Sequence, residues 1–186
     1  MTLANRITLL RFLLVPFFVG CLVYYRPEKD YLRLLALFVF FIAILTDGLD
    51  GYIARRYSQK TSLGEVLDPL ADKILLASGF LSLSMLGSLP ERFHIPPWLA
   101  ILVISRDLFI LGGSAVIYIM TQKLKVYPSR LGKTTTFFQM ITLLLVLSGS
   151  PFIGFFCDVT AVFTVLSGLG YFRYGISLLN ESQTPS

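Results

Sequence analysis

Residues 32–54 read LRLLALFVFFIAILTDGLDGYIA. From Leu34 to Leu45 no polar residue interrupts the run. At 1.5 Å per residue such a helix is about 35 Å long, enough to cross the roughly 30 Å hydrocarbon layer of a bilayer. Its end then changes character. Asp47 and Asp50 stand three apart, on one face of a helix, and Gly51, Ala54 and Arg55 follow. A lipid-length helix ending in two carboxylates predicts an all-α membrane protein with chemistry at one membrane edge.

The composition agrees. Of 186 residues, 55% are hydrophobic and 15% charged, with a mean hydropathy of +0.73. A soluble domain carries about a quarter charged residues, so this chain lacks the polar surface to cover a globule in water. Six segments, near 7–25, 32–54, 68–89, 97–121, 132–149 and 153–178, are expected to span the bilayer. Turn signals separate them at Arg26-Pro27, Pro90, Pro96-Pro97, Pro128 and Ser150-Pro151. No linker or repeat divides residues 1–186, which read as a single transmembrane domain. Cys21 and Cys157 lie in or beside apolar runs and read as small buried hydrophobes, not as a disulfide framework or a metal site.

The net charge of +5 and pI near 9.3 do not indicate nucleic acid, because the cations sit in short gaps between apolar segments. One set of gaps collects Arg6, Arg55, Arg56, Lys60, Lys73, Lys123, Lys125, Arg130, Lys133 and Arg173; the other has Arg26, Lys29, Arg33 and Arg92. The positive-inside rule makes the first side cytoplasmic, with both termini inside. Arg11 breaks the first apolar stretch and no small-residue cleavage site follows Gly20, so that stretch reads as a retained span. Arg106 and Asp107, near the middle of the fourth span, must face the bundle interior, either as a structural pair or as a substrate contact.

Acids are scarce, eleven in all, yet five fall between Asp47 and Asp72. Asp68 and Asp72 are four apart and share a helix face, as Asp47 and Asp50 do. A short loop makes the two helices antiparallel neighbours, so the pairs can face each other. Four converging carboxylates repel unless cations sit among them, and an all-oxygen donor set suits Mg²⁺ or Mn²⁺ better than Zn²⁺. Gly51 and Ala54 leave the helix surface bare for a bulky ligand, and Arg55 offers a fork to phosphate. Asp68-Pro69 also fits a helix N-cap with proline in the first turn, which is a purely structural alternative for Asp68.

The pattern D-x2-D-G-x2-A-R-x8-G-x3-D-x3-D, filled at all eight positions from Asp47 to Asp72, resembles the signature of the CDP-alcohol phosphatidyltransferases. Asn5-x-x-Thr8-Leu9-x-Arg11 is similar to that family's N-terminal signature. Leu67-Asp68-Pro69-Leu70-Ala71-Asp72-Lys73 has the form seen in phosphatidylglycerophosphate synthases and eukaryotic-type cardiolipin synthases. The resemblance implies six transmembrane helices, a homodimer, and an active site open to the cytoplasm at the boundary of a bacterial inner membrane. It implies that Asp47, Asp50, Asp68 and Asp72 bind two divalent cations, with Asp72 also the general base. Gly51, Ala54, Arg55 and Gly64 would hold CDP-diacylglycerol, whose phosphatidyl group passes to an alcohol with release of CMP. A small ion transporter is the contrasting reading, but these acids gather at one membrane face and do not form a path through the midplane.

For the acceptor, the stretch Pro128-Ser129-Arg130-Leu131-Gly132-Lys133, continuing to Gln139, resembles the segment opening the fifth span in phosphatidylglycerophosphate synthases. Lys133, assisted by Arg130 or Arg106, is expected to meet a phosphate on glycerol-3-phosphate, although both loop cations also satisfy the positive-inside rule. Ser105-Arg106-Asp107 departs from the Arg-Glu of bacterial phosphatidylglycerophosphate synthases and leans toward cardiolipin synthase, whose acceptor is phosphatidylglycerol.

Overall fold

The computed structural model describes the backbone over 3–57, 62–87, 89–121 and 130–183, and the side chains over 10–46, 70–87, 89–113 and 130–173. Six α-helices are present among the described residues: α1 (Leu3–Val23), α2 (Tyr31–Tyr57), α3 (Ser62–Met85), α4 (Pro97–Thr121), α5 (Arg130–Ser148) and α6 (Ile153–Gln183). There is no strand among the described residues. Each helix overlaps one expected span. The helices over Glu91–Gly113, Arg130–Ser148 and Ile153–Arg173 are long and apolar enough to cross a membrane by length and composition.

One boundary differs from expectation. α3 begins at Ser62, so Asp68 and Pro69 lie inside it and not at its N-cap. Pro69 is the eighth residue of α3, past the first turn, and the helix continues through it at the cost of one backbone hydrogen bond. The N-cap alternative for Asp68 therefore falls.

The packing is helix on helix. α1 lies against α2 and α3, α5 against α6 and α2, and α4 against α6 and α3. Phe18, Leu22, Val39, Phe40, Leu76, Phe80, Leu83, Leu99, Leu143 and Leu147 share one buried core. The rings of Phe18 and Phe40 sit 5.6 Å apart. Gly79 lets α3 approach α5 closely, since a Cβ there would lie 3.0 Å from a Leu143 methyl. Cys21 and Cys157 are buried free thiols. The outward faces are apolar too: Leu13, Phe38, Phe41, Phe109, Phe155 and Phe172 are all exposed. Water would penalise such a surface, whereas lipid accepts it.

One end of the bundle is clamped. Arg33 donates from Nε and Nη2 to the two oxygens of Asp30, at 2.8 and 2.7 Å, and from Nη1 to the Leu147 carbonyl. The guanidinium lies 4.6 Å over the Phe93 ring, which Arg92 also approaches at 4.8 Å. That bonding holds the Asp30 carboxyl below its ordinary range. α5 ends there in a Schellman turn: Gly149 N–H bonds the Val146 carbonyl and Ser150 N–H the Leu145 carbonyl. Gly149 has φ +73°, and a Cβ on it would come within 2.8 Å of Phe93. The α1–α2, α3–α4 and α5–α6 connections are thus pinned together.

Candidate active site

Counting 1.5 Å per residue from the clamped end, a layer of charge crosses the bundle at about 14 to 21 Å, at Arg11, Asp72, Arg106 and Ser167. α3 is its axis. Asp72 and Lys73 are sequence neighbours, so they leave the helix roughly 100° apart and reach in different directions.

Asp72 meets α1. Arg11 is fully buried and donates from Nη1 to Asp72 Oδ1 at 2.6 Å, while the Asp72 side chain keeps 23% exposure. An isolated arginine at this depth costs several kcal/mol, so the pairing is what permits it. Lys73 meets α4: its Nζ bonds Asp107 Oδ1 at 2.5 Å. The same oxygen accepts from Arg106 Nη1 at 2.7 Å. Arg106 Nη2 goes on to the Ser167 hydroxyl of α6, and its guanidinium faces the Tyr171 ring at 5.6 Å. Two acids tie three helices, and the Arg106–Ser167 bond adds the fourth.

Beside this layer runs a buried polar seam between α5 and α6. The Thr142 and Thr160 hydroxyls bond at 2.8 Å, and Thr135 donates to the Phe163 carbonyl at 3.0 Å. Between them Gln139 is fully buried, and neither amide atom is hydrogen-bonded.

Of the expected site residues, Asp72 and Arg106 stand in the charged layer. Arg106 is committed to Asp107 and Ser167. Lys133 and Arg130 are exposed at the start of α5, and no hydrogen bond or ion pair joins either to Arg106 among the described residues. The side chains of Asp47, Asp50, Gly51, Ala54, Arg55, Gly64 and Asp68 lie outside the described residues. Their backbone falls in α2 and α3, where Gly64, Asp68 and Asp72 follow at i, i+4 and i+8 of one continuous helix. By helical rise from the clamped end, Asp47 on α2 and Lys133 on α5 are both about 22 to 24 Å along. That is just past the charged layer.

Sequence reasoning passed over Arg11 as a partner and took Lys73 for a loop cation. The signal for Arg11 was a guanidinium inside an apolar stretch, which demands a buried acid. For Lys73 it was a charge well inside α3. Nothing in the sequence marks Ser167.

Chemically, a partly exposed carboxylate held by a buried guanidinium can accept a proton from an incoming group while its orientation stays fixed. The wider acid set is all oxygen, with no thiol or imidazole in its pattern, and fits a hard divalent cation.

A family model described as CDP-alcohol phosphatidyltransferase matches residues 1–169. Among curated proteins, a probable phosphatidylglycerophosphate synthase of Mycobacterium tuberculosis is 35% identical over 175 residues, 91% of this chain and 79% of that one. A CDP-diacylglycerol–glycerol-3-phosphate 3-phosphatidyltransferase of Aquifex aeolicus is 37% identical over 145 residues, covering 77% and 74%. The protein of that name from Rickettsia felis is 31% identical over 180 residues, covering 92% and 93%.

Proposed function

Since the chain belongs to the CDP-alcohol phosphatidyltransferase family, we propose that it transfers the phosphatidyl group of CDP-diacylglycerol to glycerol-3-phosphate, giving phosphatidylglycerophosphate and CMP. The observation that carries this reading is the Arg11–Asp72 pair at 2.6 Å, which fixes the last acid of the family pattern inside a cation-rich layer. The names of the Mycobacterium, Aquifex and Rickettsia relatives support the acceptor. The transporter reading gives way to an enzyme.

Asp72 takes the proton of the acceptor's hydroxyl. The freed oxygen attacks the lipid-bearing phosphorus, and the bond from that phosphorus to the CMP oxygen breaks. Arg11 holds Asp72 in place, so the carboxylate needs no reorganisation when the hydroxyl arrives. Gly51, Ala54, Arg55 and Gly64 receive the CDP-lipid, and Lys133, Arg130 and Arg106 receive the acceptor's phosphate. Members of the family depend on divalent metal. Here Asp47, Asp50, Asp68 and Asp72 would hold two cations, Mg²⁺ or Mn²⁺, supplying positive charge against the pyrophosphate.

The proposal includes six spans, both termini and the site on the cytoplasmic face of a bacterial inner membrane, and a homodimer. In a cysteine-free background, a cysteine at Arg92 should react with an impermeant thiol reagent outside intact cells, and one at Lys60 should not. Labelling at position 60 reverses the orientation.

Ser105-Arg106-Asp107 keeps phosphatidylglycerol as the second acceptor to test. Purified protein is given CDP-diacylglycerol with each acceptor separately, with Mg²⁺ or Mn²⁺ and then with EDTA, and the lipid product is identified by mass. Phosphatidylglycerophosphate that disappears in EDTA is expected. Cardiolipin from phosphatidylglycerol, with glycerol-3-phosphate inert, would overturn the acceptor and leave the reaction type standing.

A further inference from the structure

Counted over the described residues alone, the charged layer holds one cation more than it holds carboxylates. Its described members are three cations, Arg11, Lys73 and Arg106, and two carboxylates, Asp72 and Asp107. Arg11 and Asp72 balance each other. Lys73 and Arg106, by contrast, converge on a single oxygen, Asp107 Oδ1, at 2.5 and 2.7 Å. Their nitrogens are therefore held within about 5 Å of each other, a costly placement for like charges in a low-dielectric bundle. Among the described residues, Arg106 Nε is also buried with no hydrogen-bond partner. Buried cations are retained where an anion completes them.

We propose that Lys73 and Arg106, gathered by Asp107, form the docking site for the phosphate monoester of the acceptor, with Lys73 the residue that meets it first. The inference rests on the glycerol-3-phosphate reading above and gives that acceptor a site that Lys133 and Arg130 do not provide alone. Lys73 is the accessible partner, its side chain 20% exposed against 6% for Arg106. Two cations a few ångströms apart match the spread of a phosphate's oxygens. A monoester dianion gains more from two cations than the diester monoanion of phosphatidylglycerol does, so the cluster discriminates between the candidate acceptors. Lys73 also follows Asp72 directly. A phosphate held on Lys73 would therefore sit one residue along α3 from the proposed base.

The test uses the full-length protein in detergent and two readouts. One is the KM for glycerol-3-phosphate and for CDP-diacylglycerol; the other is thermal stabilisation by inorganic phosphate, which needs no turnover. Lys73→Gln should raise the glycerol-3-phosphate KM about ten-fold or more, in line with the loss of one charge-assisted hydrogen bond. It should leave the CDP-lipid KM within about two-fold and abolish stabilisation by phosphate. Lys73→Arg should restore most of both. Should Lys73→Gln not fold, Asp107→Asn serves: it weakens the contact that gathers the two cations, so stabilisation by phosphate should fall. An unchanged acceptor KM with phosphate stabilisation intact in Lys73→Gln, or phosphate stabilisation undiminished in Asp107→Asn, overturns the site and leaves a structural staple. The two readings fail separately. A wild type that makes no product from glycerol-3-phosphate, yet is stabilised by phosphate through Lys73, sinks the acceptor and keeps the anion site.

Discussion

The clamped end and the charged layer are built from the same materials, arginine and aspartate in an apolar bundle, and they solve opposite problems. At the clamped end one arginine is matched by one acid. Arg33 spends its donors on both oxygens of Asp30 and on the Leu147 carbonyl, and lays its face on Phe93. At the layer, two cations share one oxygen of Asp107, and Asp72 stays partly open beside its buried arginine. A closed set of hydrogen bonds holds three connections still. The unbalanced one is where we propose that an anion binds and a proton moves. The difference predicts that damage at the first region is read in stability, and at the second in turnover.

The largest expected effect on stability is at Arg33. Arg33→Ala removes the Asp30 bonds, the Leu147 bond and the cation–π contact together, and should cost about 2–3 kcal/mol. Turnover per folded molecule should stay near wild type. Gly149→Ala should follow with about 1–3 kcal/mol, because alanine at φ +73° is strained and its Cβ meets Phe93. Denaturant unfolding in detergent beside CMP release checks both. A variant that folds normally and loses turnover would dissolve the division between the two regions.

The smallest effect is a pH dependence. Arg33 depresses the Asp30 carboxyl in the folded state. Its contribution is therefore present above the ordinary carboxylate range, near about 3.9, and is lost as pH falls through the lowered folded value. The Asp30 side chain is 45% exposed, so solvent screens the pair and the change should be slight. Thermal unfolding should lose a little stability in that acid window in the wild type and not in Asp30→Asn. An equal loss in both places the acid sensitivity elsewhere.

How far the sequence carried depended on the range of the interaction. Helix positions follow from local apolar length and from Pro27, Pro90, Pro97 and Pro151, so each of α1–α6 overlaps its expected segment. The start of α3 was misjudged because Asp68-Pro69 is a strong local start signal, whereas the helix begins at Ser62 and runs through Pro69. The acid pattern from Asp47 to Asp72 was legible as the family's signature because its spacing is local, while its metal and nucleotide roles stand as proposals, since the side chains of Asp47, Asp50 and Asp68 lie outside the described residues. Arg11 and Asp72, sixty-one residues apart, and Lys73 and Asp107, thirty-four apart, are joined only by packing. Their charges were visible in the sequence; their partners were not.

The central claim is that Asp72 in the charged layer is the group that activates the acceptor. Asp72→Asn keeps the shape of the side chain and removes its basicity. In one purified preparation, CMP release per folded molecule should fall by at least about two orders of magnitude, while much of the CDP-diacylglycerol binding is retained and the thermal unfolding temperature drops, because Arg11 loses its counter-charge. Near-normal CMP release from folded Asp72→Asn would contradict the account.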